Sequence, residues 1–444
     1  MILATISTLV ALCSWKYLAS LAGMAMVALG AALDVTSFDA ALKQLYDDAR
    51  MRSVVYKNNP FHALVPKFGR FEGRNMPLVL TYGNPQGRSA SFSTAQGNKT
   101  AGKYTDFLLT RKKDYGLTSI ELEAIQASAS DKGAFMRAST AEVDGILNQV
   151  ARSLAIAEYR NGGGAIGVID SGEATPTIQL TKPTDATAFE VGMKLQVSAD
   201  DGTGGGGVRV GTVTVTAVDR NLGTVTASGN WTAGIPAVVA GDFIFVQGDY
   251  NAKISGLDAW LPAAGVSLAA SFFGVIRSED PVRLAGVKHD GSGQTIEEAL
   301  IDGAAKVNAI GGGMPDYVFA HPRNVRDLVK LLGSRVEYQS IRPQGLPEDA
   351  EIGFRSVVIQ ADHGIIRVIP DRNAIVDVAF MLQLDTWVCA SLGEAPKILE
   401  GMGQRFIWEA TADAVEIRTG YYAQVGCNAP GYNGRITLPA TTGS

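Results

Sequence analysis

The stretch Gly97-Asn-Lys-Thr-Ala-Gly102-Lys103 has the G-x-x-x-x-G-K spacing of a phosphate-binding loop. Such a loop needs a Ser or Thr hydroxyl next, to hold magnesium, and a helix whose N-terminus faces the phosphates. Here Tyr104 follows, and YTDFLLTRK is strand-like. The segment therefore reads as the tip of a hairpin. Gly291-Ser-Gly293 lacks the preceding strand and third glycine of a dinucleotide fingerprint and reads as the turn before a helix. Asp200-Asp201, ahead of a glycine run, lacks the alternating acidic ligands and closing glutamate of a calcium loop, so a β-turn is the reading.

His62, His289, His321 and His363 stand singly, and neither H-E-x-x-H nor G-x-S-x-G occurs. Cys13, Cys389 and Cys427 are odd in number, far apart and in no C-x-x-C pair. They suggest neither a disulfide framework nor a zinc site, and a reducing compartment fits them. No catalytic residue, cofactor or metal ligand is expected. Sequons at Asn98 and Asn230 matter only in an exported chain. The run Arg111-Lys112-Lys113 is either a solvated strand face or a docking contact.

The elements that would position these residues change in texture along the chain. Residues 37–52 carry Phe38, Leu42 and Leu45 at helical spacing behind Ser37 as N-cap. Pro60, Pro66 and Pro77 then forbid regular helix and suggest an extended arm. Two strand-like runs, NMPLVLTYG and YTDFLLTRKKDYGLTSIEL, flank a polar middle and read as one long hairpin. Phe135, Ile146, Val150, Leu154 and Ala157 recur at helical intervals and predict a helix over about residues 133 to 160, ended by Asn161-Gly162. From Ala165 to Tyr250, short Val/Thr alternations between turns predict a compact antiparallel β unit, sandwich or barrel, inserted into the rest. Mixed helix and strand texture resumes afterwards, and RFIWEATADAVEIRTGYYAQVGC reads as two long strands joined at Ala412-Asp413.

At 444 residues the chain is too long for one ordinary core. Hydrophobic residues at 46%, against 19% charged, describe an ordered protein. A net charge of −5 argues against gripping nucleic acid through a basic surface, though not against enclosing it. The opening MILATISTLVALCSWKYLASLAGMAMVALGAALDV is apolar, with Lys16 in mid-segment and no basic flank. A signal peptide or membrane span would want the opposite. The expectation is a helix over residues 1–33 buried against protein. The alternatives are an anchor or an over-called start, with Met24 or Met26 the true beginning.

The order of these parts resembles the major capsid proteins of tailed bacteriophages, the Hong Kong 97-like fold. The stretches that carry the resemblance are NPFHALVPKFGRFEGRNMPLVLTYGNPQGRSASF, AEVDGILNQVARSLAIAE, DYVFAHPRNVRDLVKLL and AVEIRTGYYAQVGCNAPGYNGRI. It implies an α+β class divided as follows: residues 1–33 apolar segment, 34–74 N-arm, 75–122 E-loop hairpin, 123–164 spine helix, 165–250 inserted β domain, and 251–444 P- and A-domains. It implies a non-enzymatic head protein whose partners are its own copies, as hexamers and pentamers, together with portal, scaffolding and decoration proteins. The shell encloses DNA without reading its sequence, spans no membrane and assembles in the host bacterial cytoplasm. Arg88, Arg111, Lys112, Lys113 and Asp114 are the groups expected to meet a neighbouring subunit. Lys99 and Lys103 sit where some members crosslink a Lys to a neighbour's Asn, but no partner Asn is identifiable. Encapsulin and gene transfer agent shells share the fold. A membrane-anchored or exported β-rich binding protein is the reading from another class.

Overall fold

A computed structural model describes residues 59–121, 132–341, 354–361, 364–400, 403–409 and 413–441. The apolar opening and the helix expected over 37–52 lie outside them. The described residues fall into two units. Those within Gly116–Leu147 and Ile398–Thr419 form the smaller; those within Arg52–Tyr115, Asn148–Lys397 and Gly420–Ser444 form the larger. Among the described residues no helix is long and apolar enough to cross a membrane.

The long helix runs Lys132–Tyr159. Val143, Leu147, Val150, Leu154 and Ala157 repeat every three or four positions, and all are at most 4% exposed. The turn after it needs glycine for contact reasons. A Cβ on Gly163 would lie 1.9 Å from the Asp201 carbonyl oxygen, and one on Gly164, at φ +93°, 2.2 Å from that of Asp249. The helix end is thereby pressed against the loop after the strand Lys194–Ser198 and against the exit of the β unit, where Asn251 N donates to Gly163 O at 2.7 Å.

Residues 167–246 close into a six-stranded antiparallel barrel, ordered Phe243–Val246, Gly167–Ser171, Thr177–Leu180, Thr224–Ala227, Val213–Asp219, Lys194–Ser198. Closure leaves no unpaired sheet edge. Its interior is Ile169, Leu180, Phe189, Val197, Trp231 and Ile244, with Ile156 of the long helix packed against it.

A second core lies in a seven-stranded mixed sheet, ordered Val287–Asp290, Gly434–Thr437, Val378–Leu382, Tyr317–Ala320, Gly364–Pro370, Phe354–Ala361, Tyr338–Ile341. The helices Ile296–Lys306 and Pro322–Leu332 pack on it. The first opens on a complete capping box, Thr295 with Glu298, and the second carries Pro322 in its first turn. The third core gathers Phe61, Phe107, Tyr159, Trp260, Trp387 and Tyr421. Trp387 Nε1 donates to Asn433 Oδ1 at 2.8 Å and Trp260 Nε1 to Val425 O at 3.0 Å, so both buried indoles are satisfied.

Three sequence expectations are corrected. A strand, Val287–Asp290, does precede Gly291-Ser-Gly293, because its residues pair with Gly434–Thr437; the third glycine of a dinucleotide fingerprint is still missing. The arm holds a helical turn, Pro60–Leu64, because Pro60 stands at its first position, where a missing N–H costs nothing. The C-terminal pair is unequal: Phe406–Trp408 has three residues and Ala414–Cys427 fourteen, with register Phe406↔Ile417 to Trp408↔Val415.

Candidate assembly surface

The hairpin pairs Asn75–Gly83 with Lys103–Thr110, from Asn75↔Thr110 to Gly83↔Lys103. Strand alternation gives it two faces. Met76, Leu78, Leu80 and Tyr82 pack inward with Phe107 and Leu109, which are 0% exposed. The outer face presents Val79, Tyr104 and Leu108 at 63%, 65% and 41% exposure, and Phe92 on the tip helix Phe92–Gly97 reaches 78%. Large apolar side chains sharing one exposed face mark an interaction surface more often than a free one. A two-stranded ribbon is marginal alone, and this one is braced from below. Tyr82 Oη donates to Glu279 Oε2 at 2.7 Å, Arg283 donates to Tyr82 O at 2.5 Å, and Leu108 N donates to Phe273 O at 2.9 Å.

Gln86 and Thr100 close the tip through two backbone-centred bonds of 2.7 and 3.0 Å. Within the phosphate-loop spacing, Gly97 ends a short helix and Lys103 begins a strand. No helix follows to receive a phosphate, as Tyr104 indicated. Arg88 stands exposed at this tip, with no hydrogen bond or ion pair among the described residues.

The other four groups expected at a subunit contact lie together at the hairpin base. Arg111 donates to Phe71 O and Gly73 O, each at 2.7 Å, and stacks 5.2 Å from the Phe71 ring. Lys112 donates to Asn251 O at 2.8 Å. Lys113 lies over the Tyr115 ring at 5.9 Å, and Tyr115 Oη bonds Tyr422 Oη at 3.2 Å. Asp114 Oδ2 accepts from Lys253 Nζ at 2.5 Å and Ser153 Oγ at 2.7 Å. Lys253 also pairs with Asp249 at 3.0 Å. Burial pushes the Asp249 carboxyl up to about 6, against the pull of Lys253 and with a push from Asp114. Arg111, Lys112 and Asp114 thus sew the hairpin to the arm, the barrel exit and the long helix of their own subunit. Lys253, Ser153 and Asp249 escaped sequence reading; the i,i+4 spacing of Asp249 and Lys253 was the one available signal.

One buried cluster has metal-ligand residue types: His62, Glu158 and Cys389, all at most 1% exposed. His62 is already engaged within the protein. His62 Nδ1 is 2.5 Å from Glu158 Oε1, and Nε2 is 3.1 Å from Ala395 O, which can only accept. Both ring nitrogens are therefore occupied. Burial pushes the Cys389 thiol up to about 11. The cluster works as a polar staple between the arm, the long helix and the Trp387–Ser391 strand. The Asp200 carboxylate is likewise taken, by Gly202 N, Gly206 N and Tyr250 Oη at 2.7–2.8 Å. His289 bonds Gln294 at 3.0 Å and His321 Nδ1 accepts from Arg323 N at 3.2 Å. His363 lies outside the described residues.

The model of one protein family, the SU10 major capsid protein, matches residues 118–400. No curated protein matches. Among solved structures, a cyanophage A-1(L) capsid is similar at TM-score 0.47 and 12% identity, over 86% of this chain and 93% of that one. A native gene transfer agent capsid is similar at 0.42 and 8%, over 85% and 89%. An encapsulin complex from Synechococcus elongatus gives 0.40 and 9%, over 91% and 96%.

Proposed function

This chain belongs to the family of the SU10 major capsid protein, and from that premise we propose that it builds a closed icosahedral shell, as hexamers and pentamers, around the double-stranded DNA of a tailed bacteriophage. It is a structural capsid protein of the virion, with the Hong Kong 97-like arrangement of hairpin, long helix, mixed sheet domain and inserted β barrel. The match over residues 118–400 carries this reading.

The physical chemistry supports it. A shell subunit needs an extended element with an apolar outer face that neighbours cover, and the hairpin has one in Val79, Tyr104, Leu108 and Phe92. The subunit contact is proposed to use this face and the tip, with Arg88 and Lys113 as its charged groups. Arg111, Lys112 and Asp114 contribute by holding the base rigid, which lowers the ordering cost of docking. A net charge of −5 suits a protein that encloses DNA rather than grips it. Portal, scaffolding and decoration proteins complete the proposed set of partners, assembly takes place in the host cytoplasm, and no catalytic step is assigned to the chain. Expression of the full chain, followed by electron microscopy of the purified product, tests the proposal: closed shells support it, and dispersed subunits under all assembly conditions count against it.

A further inference from the structure

A cavity of about 330 Å³ opens where the C-terminal part of the long helix, the barrel and the seven-stranded sheet domain meet, its lining all within the larger unit. Arg152 enters it from the long helix and Arg160 from just past its C-terminal end, Arg220 from a barrel turn and Arg372 from the turn after the strand Gly364–Pro370. The acids present do not balance them. Arg152 pairs with Glu190, and Arg160 with Asp185 at 2.8 Å. Among the described residues Arg220 and Arg372 have no carboxylate partner; Arg220 bonds only the Phe189 carbonyl, at 3.0 Å. Two guanidiniums are therefore uncompensated. Burial lowers the Arg152 pKa first, and after the opposing pull of Glu190 both Arg372 and Arg220 lower it further, so the three cations feel one another. Arg160 Nε is buried without an acceptor. Burial brings His321 down to about 4, which leaves a neutral imidazole on the wall at neutral pH.

Converging arginines with spare donors, in a hollow too large for one water, fit a tetrahedral dianion. We propose that this cavity is a binding site for a phosphate-class oxyanion, either free phosphate or the phosphoryl group of a small nucleotide. The anion would neutralise the excess charge and tie helix, barrel and sheet domain together at one point.

Calorimetric titration of the full chain with inorganic phosphate, at ionic strength matched with chloride, tests this. The expected result is saturable binding at one site per subunit, with phosphate raising the melting temperature. Arg372→Gln, a change at an exposed residue without a partner among the described residues, should weaken binding about tenfold or more, and Arg220→Gln likewise. A titration with adenosine monophosphate separates the two sources: tighter binding than phosphate indicates a nucleotide, equal binding a free anion. Absence of saturable binding, equal binding by both variants, or equal binding of adenosine without its phosphate would overturn the proposal.

Discussion

Asp114 and Lys253 are 139 positions apart in the chain, yet Oδ2 and Nζ lie 2.5 Å apart. Lys253, in turn, is the one cation between two carboxylates, Asp114 and Asp249. The two carboxylates at the base of the hairpin therefore share one ammonium, with the three side chains only 9–19% exposed.

Lys253→Met should expose that dependence. It keeps the stem but leaves two largely buried carboxylates facing each other. A loss of about 3 kcal/mol is expected, the cost of stripping the partner from a buried charge. Adding Asp114→Asn should restore part of it, since the two sites couple. Thermal melts of Lys253→Met, Asp114→Asn and the double variant check this, and additive losses would contradict it.

Arg111→Glu and Arg88→Glu should separate fold from assembly. Arg111 holds two backbone carbonyls, so its reversal is expected to destabilise the subunit by about 2 kcal/mol. Arg88→Glu and Phe92→Ser, at an exposed tip, should leave subunit stability within about 0.5 kcal/mol and reduce shell yield. Melts paired with sedimentation of assembly mixtures read both effects.

Asp371 gives a pH signature. Its carboxyl accepts from Tyr159 Oη at 2.9 Å, and burial pushes it up to about 6. The ordinary value is 3.8, so between these two values the folded chain binds more protons than the unfolded one. The Asp371 contribution to stability is thus present at about pH 4 and is lost as pH rises through about 6. Relative to wild type, Asp371→Asn should gain stability across that rise, by at most about 3 kcal/mol. Melting temperatures at both ends of the window test it; a difference that does not change with pH contradicts it.

Deleting Gly167–Gly248 should leave a folded remainder. The barrel carries its own buried core around Trp231, and Gly163 O and Asn251 N already meet at 2.7 Å across its neck. Circular dichroism and size-exclusion chromatography of the spliced chain would show a compact product; an insoluble one would place the barrel within the main core.

What the sequence disclosed and what it hid follow one division. The long helix was legible because Val150, Leu154 and Ala157 repeat with the helical period, and the hairpin because two strand-like runs, NMPLVLTYG and YTDFLLTRKKDYGLTSIEL, flank a polar middle. Tyr104 was enough to dismiss a phosphate loop. The barrel's closure was open between sandwich and barrel, since it depends on Phe243–Val246 pairing with both Gly167–Ser171 and Lys194–Ser198. The work of Arg111 and Lys112 was invisible because their acceptors are backbone carbonyls of Phe71, Gly73 and Asn251, which have no residue signature. The arginine cavity was hidden for a related reason: Arg152, Arg220 and Arg372 converge only once three separate elements have packed.

The most direct test of the central claim is electron microscopy of the full chain after expression and purification without detergent. Closed icosahedral particles, with the hairpin of one subunit lying on the next, are the predicted result. Material that stays as isolated subunits whatever the salt and concentration, or that is recovered only from membranes, would contradict it.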